Sequence, residues 1–221
     1  MGILDKFDWG ETKNFKETTI KEIFQDGIYE KFFEVEEGDI VVDFGSTIGD
    51  FIWSIKDKNP KHCWAVEPVD SYFETMKKNL MGYPVCFIKA AISPYRNIEI
   101  TWDGIKCFPR TISFQDFLAE NNIGRIDFFK IDCEGGEYDI FQNQHLDFLK
   151  SIKKIVVEFH LRDEMEKLKF KKFRDEILPN FNSVNIMSVD QVDIKWDLGN
   201  EHFIEYYKEV VIYIDNRKNE Q

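Results

Sequence analysis

The chain has 221 residues, of which 43% are hydrophobic, which suits an α/β domain with a developed core. Its formal net charge is −12, from 41 acidic against 29 basic side chains, so it lacks the basic footprint of a nucleic-acid binder and suits a neutral or cationic ligand better than a polyanion. No apolar run approaches the ~20 residues that span a bilayer.

In chain order, the first 37 residues are polar with helical spacing and predict a helical cover over a sheet. The start, MGILDKFDWG, lacks the basic-then-apolar pattern of a secretion signal, and Lys6 stands where a myristoylation site needs Ser or Thr. GDIVVDFG (38–45) predicts a buried parallel strand. Residues 48–58 predict a helix ending near Asn59-Pro60, with Thr47 as N-cap and Asp50 as its capping-box partner. HCWAVEP (62–68) predicts a second buried strand, 70–81 a helix and VCFIKAAIS (85–93) a third strand. NIEITW (97–102) alternates and predicts an added edge strand, followed by an irregular loop over 103–112. Trp102, Phe108 and Arg110 stand apart there from the aromatic core as candidates near an acceptor pocket.

Residues 113–122 predict a helix, about 125–132 a fourth strand, and about 137–149 another helix. KKIVVEFH (153–160) is a fifth strand, and 163–178 a charged helix stopped by Pro179, whose KLKFKKFR stretch reads as a solvated face. Two apolar stretches close the chain, 183–189 and 208–215, the second a strand. Short apolar strands alternating with helices of 10–15 residues imply an α/β fold with a doubly wound, mostly parallel sheet and helices on both faces. We expect one domain over 1–221: a helical cover (1–37), a cofactor-binding core (38–160), and a C-terminal helix with closing strands (161–221).

The cysteines, Cys63, Cys86, Cys107 and Cys133, form no CxxC pair and read as reduced thiols of a cytoplasmic protein, with Cys63 and Cys86 as packing residues. In such sheets ligands bind beyond the carboxyl ends of the strands. The first strand ends VVDFGSTIGD, with three residues between Gly45 and Gly49. A dinucleotide turn needs a middle glycine for the pyrophosphate, and Thr47 holds that position. A cofactor without phosphates, S-adenosylmethionine, has no such need. Glu67 ends the second strand 22 residues after Gly45, where an acid can accept bonds from both ribose hydroxyls.

VVDFGSTIGDF, AVEPVDSYFETMKKNL, AAIS, IDFFKIDCEGGEYDIF and IVVEFH resemble, in order, the blocks of the FkbM-type methyltransferases, over roughly 39–160. The resemblance implies a Rossmann-like class I methyltransferase fold with seven strands, one of them antiparallel near the end, for which 208–215 is the candidate. It implies S-adenosylmethionine as cofactor, held by Asp43, Gly45, Ser46, Thr47, Gly49 and Asp50 at the first turn, and by Glu67, Pro68 and Ala91 at the next strand ends. It also implies O-methylation of a sugar, glycan or polyketide-type product. Ser46-Thr47 departs from the Ala-Asn pair common in the family.

The fourth strand runs into Asp132, Glu134, Glu137 and Asp139, with Gly135 and Gly136 between. Methyl transfer to a hydroxyl needs alignment and a group to take the proton. Asp132, Glu134 and His160 are the candidate catalytic residues, and Lys130, Glu137 and Glu158 the candidate acceptor-binding ones. Glu158 and His160 alternate on the fifth strand and so share a face. Asp132, Glu134 and His160 also form a candidate set for a hard divalent cation such as magnesium or manganese. The expected function is methylation of a hydroxyl on a small-molecule or glycan acceptor, with no nucleic-acid partner. The competing readings are a non-catalytic S-adenosylmethionine- or nucleotide-binding module of the same fold and an NAD-dependent sugar-modifying enzyme.

Overall fold

The computed structural model describes residues 6–12, 16–102, 104–200 and 202–217. The expected helical cover therefore lies partly outside the described residues, at 1–5 and 13–15. The chain carries a seven-stranded, mostly parallel sheet with helices between the strands, as the alternation of elements predicts. It gathers into two compact units, residues 1–113 and 114–221.

In the first unit, strand β1 (Ile40–Phe44) pairs in parallel with β2 (His62–Val66), and β2 with β3 (Val85–Ile88). Val41, Val42, Phe44, Ala65 and Val66 are buried, which is why these stretches read as continuous apolar runs rather than alternating ones. Helix α1 (Lys16–Thr19) continues as a π-helical turn over Ile20–Gln25. Phe7 packs its ring 5.3 Å from Trp53 of α2 (Asp50–Ile55) and 5.9 Å from Phe24, so an aromatic cluster anchors the start of the chain. Helix α3 (Asp70–Asn79) follows β2 and buries Tyr72, Phe73 and Met76.

Several expectations change in this unit. The third strand ends at Ile88, and Ala91–Ile92 (β4) pairs instead with Thr111–Ile112 (β7) in a separate two-stranded ladder. The expected edge strand does not join the main sheet. Its end, β5 (Ile100–Trp102), folds back on β6 (Ile105–Cys107) as a hairpin, and Gly104 at φ 75° allows the tight return. Phe108 and Arg110, just beyond the hairpin, are exposed. Cys63 is buried as expected, but Cys86 is exposed on β3, so it is not a packing residue. Alternation along a strand at the limit of its ladder leaves every second side chain outward.

In the second unit, helix α4 (Phe114–Glu120) precedes β8 (Phe128–Ile131), which is fully buried and pairs in parallel with β9 (Lys154–His160). Strand β10 (Val184–Ser188) pairs antiparallel with β11 (Glu209–Asp215), and β11 antiparallel with β9, so 208–215 supplies the expected antiparallel strand. The helix expected over 137–149 is broken into α5 (Glu137–Ile140), a 3-10 turn at Asn143–His145 and α6 (Leu146–Ser151). Phe141 at ψ 70° ends the first piece and sits buried against Phe159 and Phe173, so aromatic packing outweighs helical periodicity. Helix α7 (Glu164–Lys172) widens into a π-turn at Phe173–Ile177 and a 3-10 turn containing Pro179. A proline there removes a backbone donor, and the last turns change their hydrogen-bond spacing. Among the described residues no helix is long and apolar enough to cross a membrane.

Candidate active site

In the first unit, the turn after β1 is built from left-handed backbone: Gly45 at φ 75°, Thr47 at 48° and Gly49 at 83°. A β-branched residue there is strained. The Thr47 N–H donates to Glu67 Oε2 at 2.9 Å, and the Val69 N–H donates to Glu67 Oε1 at 2.8 Å. Glu67, 4% exposed, thereby ties the β1 turn to the chain leaving β2. The Ser46 hydroxyl donates to the Asp43 carbonyl and accepts from the Val66 N–H, a second tie at the same level. Asp43 is fully buried at the end of β1. Burial, with the Asp43 charge, pushes the Cys63 thiol up to about 12, so it is no nucleophile.

The expected capping box does not form. Helix α2 starts at Asp50 with Gly49 as N-cap, and Asp50 Oδ1 accepts from the Phe51 N–H next to it. The reason is the left-handed backbone at Thr47 and Gly49, which delays the helix by two residues. A Cβ on Gly49 would lie 2.8 Å from Leu80 Cδ1, so glycine is needed here for space as well as for φ. Pro68 lies half-buried beside Glu67, and Ala91 is buried in β4 with its N–H donating to the Arg110 carbonyl.

In the second unit, Asp132 leaves the end of β8, and Glu158 and His160 end β9. His160 Nε2 lies 3.4 Å from Glu134 Oε2, 4.0 Å from Asp132 Oδ1 and 4.0 Å from Glu158 Oε1, and its Nδ1 lies 3.7 Å from Glu137 Oε1. Of the catalytic and acceptor-binding candidates, the structure thus gathers Asp132, Glu134, Glu137, Glu158 and His160 around one imidazole. Burial opposes charge on that ring, yet contact with Glu137 and the charges of Asp132 and Glu134 push His160 up to about 10. Burial likewise pushes Glu134 up to about 7, Asp132 and Glu137 adding to the effect while His160 and Arg162 oppose it.

Glu137, expected to meet acceptor hydroxyls, is wholly buried and accepts from the Cys133 and Gly135 N–H groups, each at 2.8 Å. It holds the acidic loop in shape. Glu134 at φ 56° and Gly135 at φ 109° give that loop its turn, whereas Gly136 has an ordinary helical backbone. Lys130, also expected near the acceptor, is 2% exposed with its Nζ 3.8 Å from Asp132 Oδ2. It supplies buried countercharge.

Three residues escaped the sequence reading. Arg162 Nη1 lies 2.6 Å from Glu134 Oε2, and Glu166 accepts from the Arg162 guanidinium and backbone. The Tyr138 hydroxyl donates to the His160 carbonyl at 2.6 Å. An Arg two residues past the VVEFH block, four before a Glu on a helix, was the available signal.

Residues 101–184 match the family model described as the Methyltransferase FkbM domain, a stretch that contains the acidic loop and the VVEFH strand. No curated protein sequence matches the chain. Among solved structures the chain is similar to the plantazolicin methyltransferase BamL in complex with a triazolic desmethylPZN analog and SAH (10% identity, TM-score 0.52, 92% of this chain and 88% of that one). It is similar also to an rRNA methylase from Streptococcus thermophilus (8% identity, TM-score 0.51, 83% and 90%) and to the delta-N METTL16 MTase domain (11% identity, TM-score 0.50, 92% and 84%). At such identities the likeness shows the fold, which is the Rossmann-like class I methyltransferase fold that the resemblance implied.

Proposed function

On the premise that the chain is an S-adenosylmethionine-dependent methyltransferase with an FkbM domain over residues 101–184, we propose that it methylates a hydroxyl of a small-molecule or glycan acceptor, a sugar hydroxyl above all. The observation that carries the reading is the group of carboxylates around His160 at the ends of β8 and β9. Carboxylates accept hydrogen bonds and donate none, so they suit an acceptor rich in hydroxyl donors. The same charge repels a phosphate backbone, and the whole chain at −12 adds to that repulsion.

The buried Glu67 carboxylate, oriented by two backbone amides, offers the acceptor chemistry that a ribose diol needs. Gly45 and Gly49 give the turn beside it its left-handed backbone. S-adenosylmethionine supplies an electrophilic methyl on a positively charged sulfur. The acceptor oxygen takes that methyl as the carbon–sulfur bond breaks, and the hydroxyl proton must leave. Glu134, near pH 7 in its affinity for a proton, is matched to take it. Asp132 orients the hydroxyl, and the His160 imidazolium holds the carboxylates together.

The test is methyl transfer to a panel of glycosides, followed by mass spectrometry, with wild type and Asp132→Asn. Asparagine keeps the shape and removes the charge. Turnover should fall about 100-fold, the scale of losing a group that positions the reacting atom, while calorimetry shows S-adenosylhomocysteine affinity within a few fold. Wild-type turnover in the variant, or transfer to RNA or peptides with none to glycosides, would overturn the assignment.

A further inference from the structure

We propose that Asp132, Glu158 and His160 form a binding site for a divalent cation of the manganese type, a refinement that rests on the methyl-transfer reading of the same strand ends. One ligand atom from each of the three lies within 4.8 Å of the others. The centre of such a triangle is no more than about 2.8 Å from each corner, close to the ~2.3–2.6 Å of oxygen ligands on a large hard cation. Two carboxylates with one imidazole are the donor set of a cation that accepts both hard oxygen and borderline nitrogen ligands.

The fold builds the triangle. Glu158 and His160 stand two apart on β9 and share a face. Ile131 of β8 pairs with Val157, which carries the following residue, Asp132, to the level of Glu158. The His160 side chain is only 4% exposed, and its Nε2 is turned among the acids, 4.0 Å from both Asp132 Oδ1 and Glu158 Oε1.

Glu134 gives its Oε2 to Arg162 at 2.6 Å, and Glu137 gives both oxygens to loop amides. The proposed triangle has Glu158 where the sequence expectation has Glu134. A ligating imidazole is neutral, and a dication at the triangle supplies countercharge to Asp132 and Glu158. A cation there would polarise an acceptor hydroxyl as a Lewis acid.

The full chain, stripped with chelator and dialysed, is titrated with manganese chloride by calorimetry and by electron paramagnetic resonance. One site per chain is expected, at least 10-fold weaker in Glu158→Gln and in His160→Gln, and within about 3-fold of wild type in Glu134→Gln. S-adenosylhomocysteine affinity, measured on each protein, reports that the fold is intact. Wild type that binds S-adenosylhomocysteine but no manganese overturns the cation site and leaves methyl transfer standing. Equal manganese affinity in wild type, Glu158→Gln and His160→Gln also overturns it. Manganese bound as expected by a protein that methylates no acceptor supports the site and sinks the methyl-transfer reading instead.

Discussion

Glu134 combines an unusual backbone with an unusual charge. It sits at φ 56°, where a non-glycine side chain is disfavoured, and burial holds its carboxyl near pH 7. Arg162 works against that rise from 2.6 Å away. Arg162→Ala should therefore raise the Glu134 pKa further, since a lost cation favours the neutral acid. If Glu134 takes the acceptor proton, the acid limb of the turnover profile moves to higher pH, and the variant loses several-fold more activity at pH 6 than at pH 9. A limb that stays in place removes Glu134 from proton transfer. Glu67 invites a second substitution. Glu67→Ala leaves the Thr47 and Val69 amides without their acceptor, in a turn where Thr47 is already strained. S-adenosylhomocysteine affinity should weaken by about 1.5–3 kcal/mol, the scale of a hydrogen bond to a charged group, and the melting temperature should fall with it. Unchanged affinity in calorimetry would take Glu67 out of the cofactor site. At this scale the types of residue were legible: acids after the second and fourth strands, and a His on the fifth. Their division of labour was not. Glu137 as a loop brace depends on two amides that come near it only after the turn has formed.

The elements show where periodicity reports structure and where packing overrides it. Helix α2 begins at Asp50 because Gly49 adopts φ 83° against the end of α3. Gly49→Ala would drive a Cβ to 2.8 Å from Leu80 Cδ1 and force an alanine into left-handed backbone. Overpacking and strain together should destabilise the protein by about 2 kcal/mol or more, read from denaturant unfolding. A loss below experimental error would mean that the turn relaxes freely. The strands over 40–44, 62–66, 128–131 and 154–160 were readable as buried apolar runs, because a parallel strand covered on both faces has no polar side to show. The hairpin β5–β6 and the ladder β4–β7 were not, since short two-sided strands carry too few residues for their pairing to be seen in composition.

For the molecule as a whole, the buried cluster sets a pH dependence of stability. His160 is raised from its ordinary 6.5 to about 10, and Glu134 from 4.5 to about 7. In both cases the folded state binds its proton more tightly than the unfolded chain does. The His160 contribution is complete below about pH 6.5 and is lost as pH rises through about 10, and that of Glu134 is complete below about pH 4.5 and is lost through about 7. The Cys63 thiol, pushed from 9.0 to about 12, acts in the same sense at the alkaline end. Melting temperature should fall steadily between about pH 5 and 10, and His160→Gln should flatten that slope; a curve that rises toward pH 9 would show that the imidazole is not held as a cation. The sequence by itself determined the α/β class, the order of the main strands, the family resemblance and the acidic strand ends, because these follow from local apolar runs and from residue types at fixed spacings. Only the tertiary structure decided which carboxylates meet His160, that Arg162 lies against Glu134, and that Asp132, Glu158 and His160 each bring a ligand atom within 4.8 Å of the others. Those relations join residues up to 28 positions apart, through the register of β8 on β9 and the turn of one loop. No local pattern carries the coordinates of a pairing that exists only once the strands lie side by side.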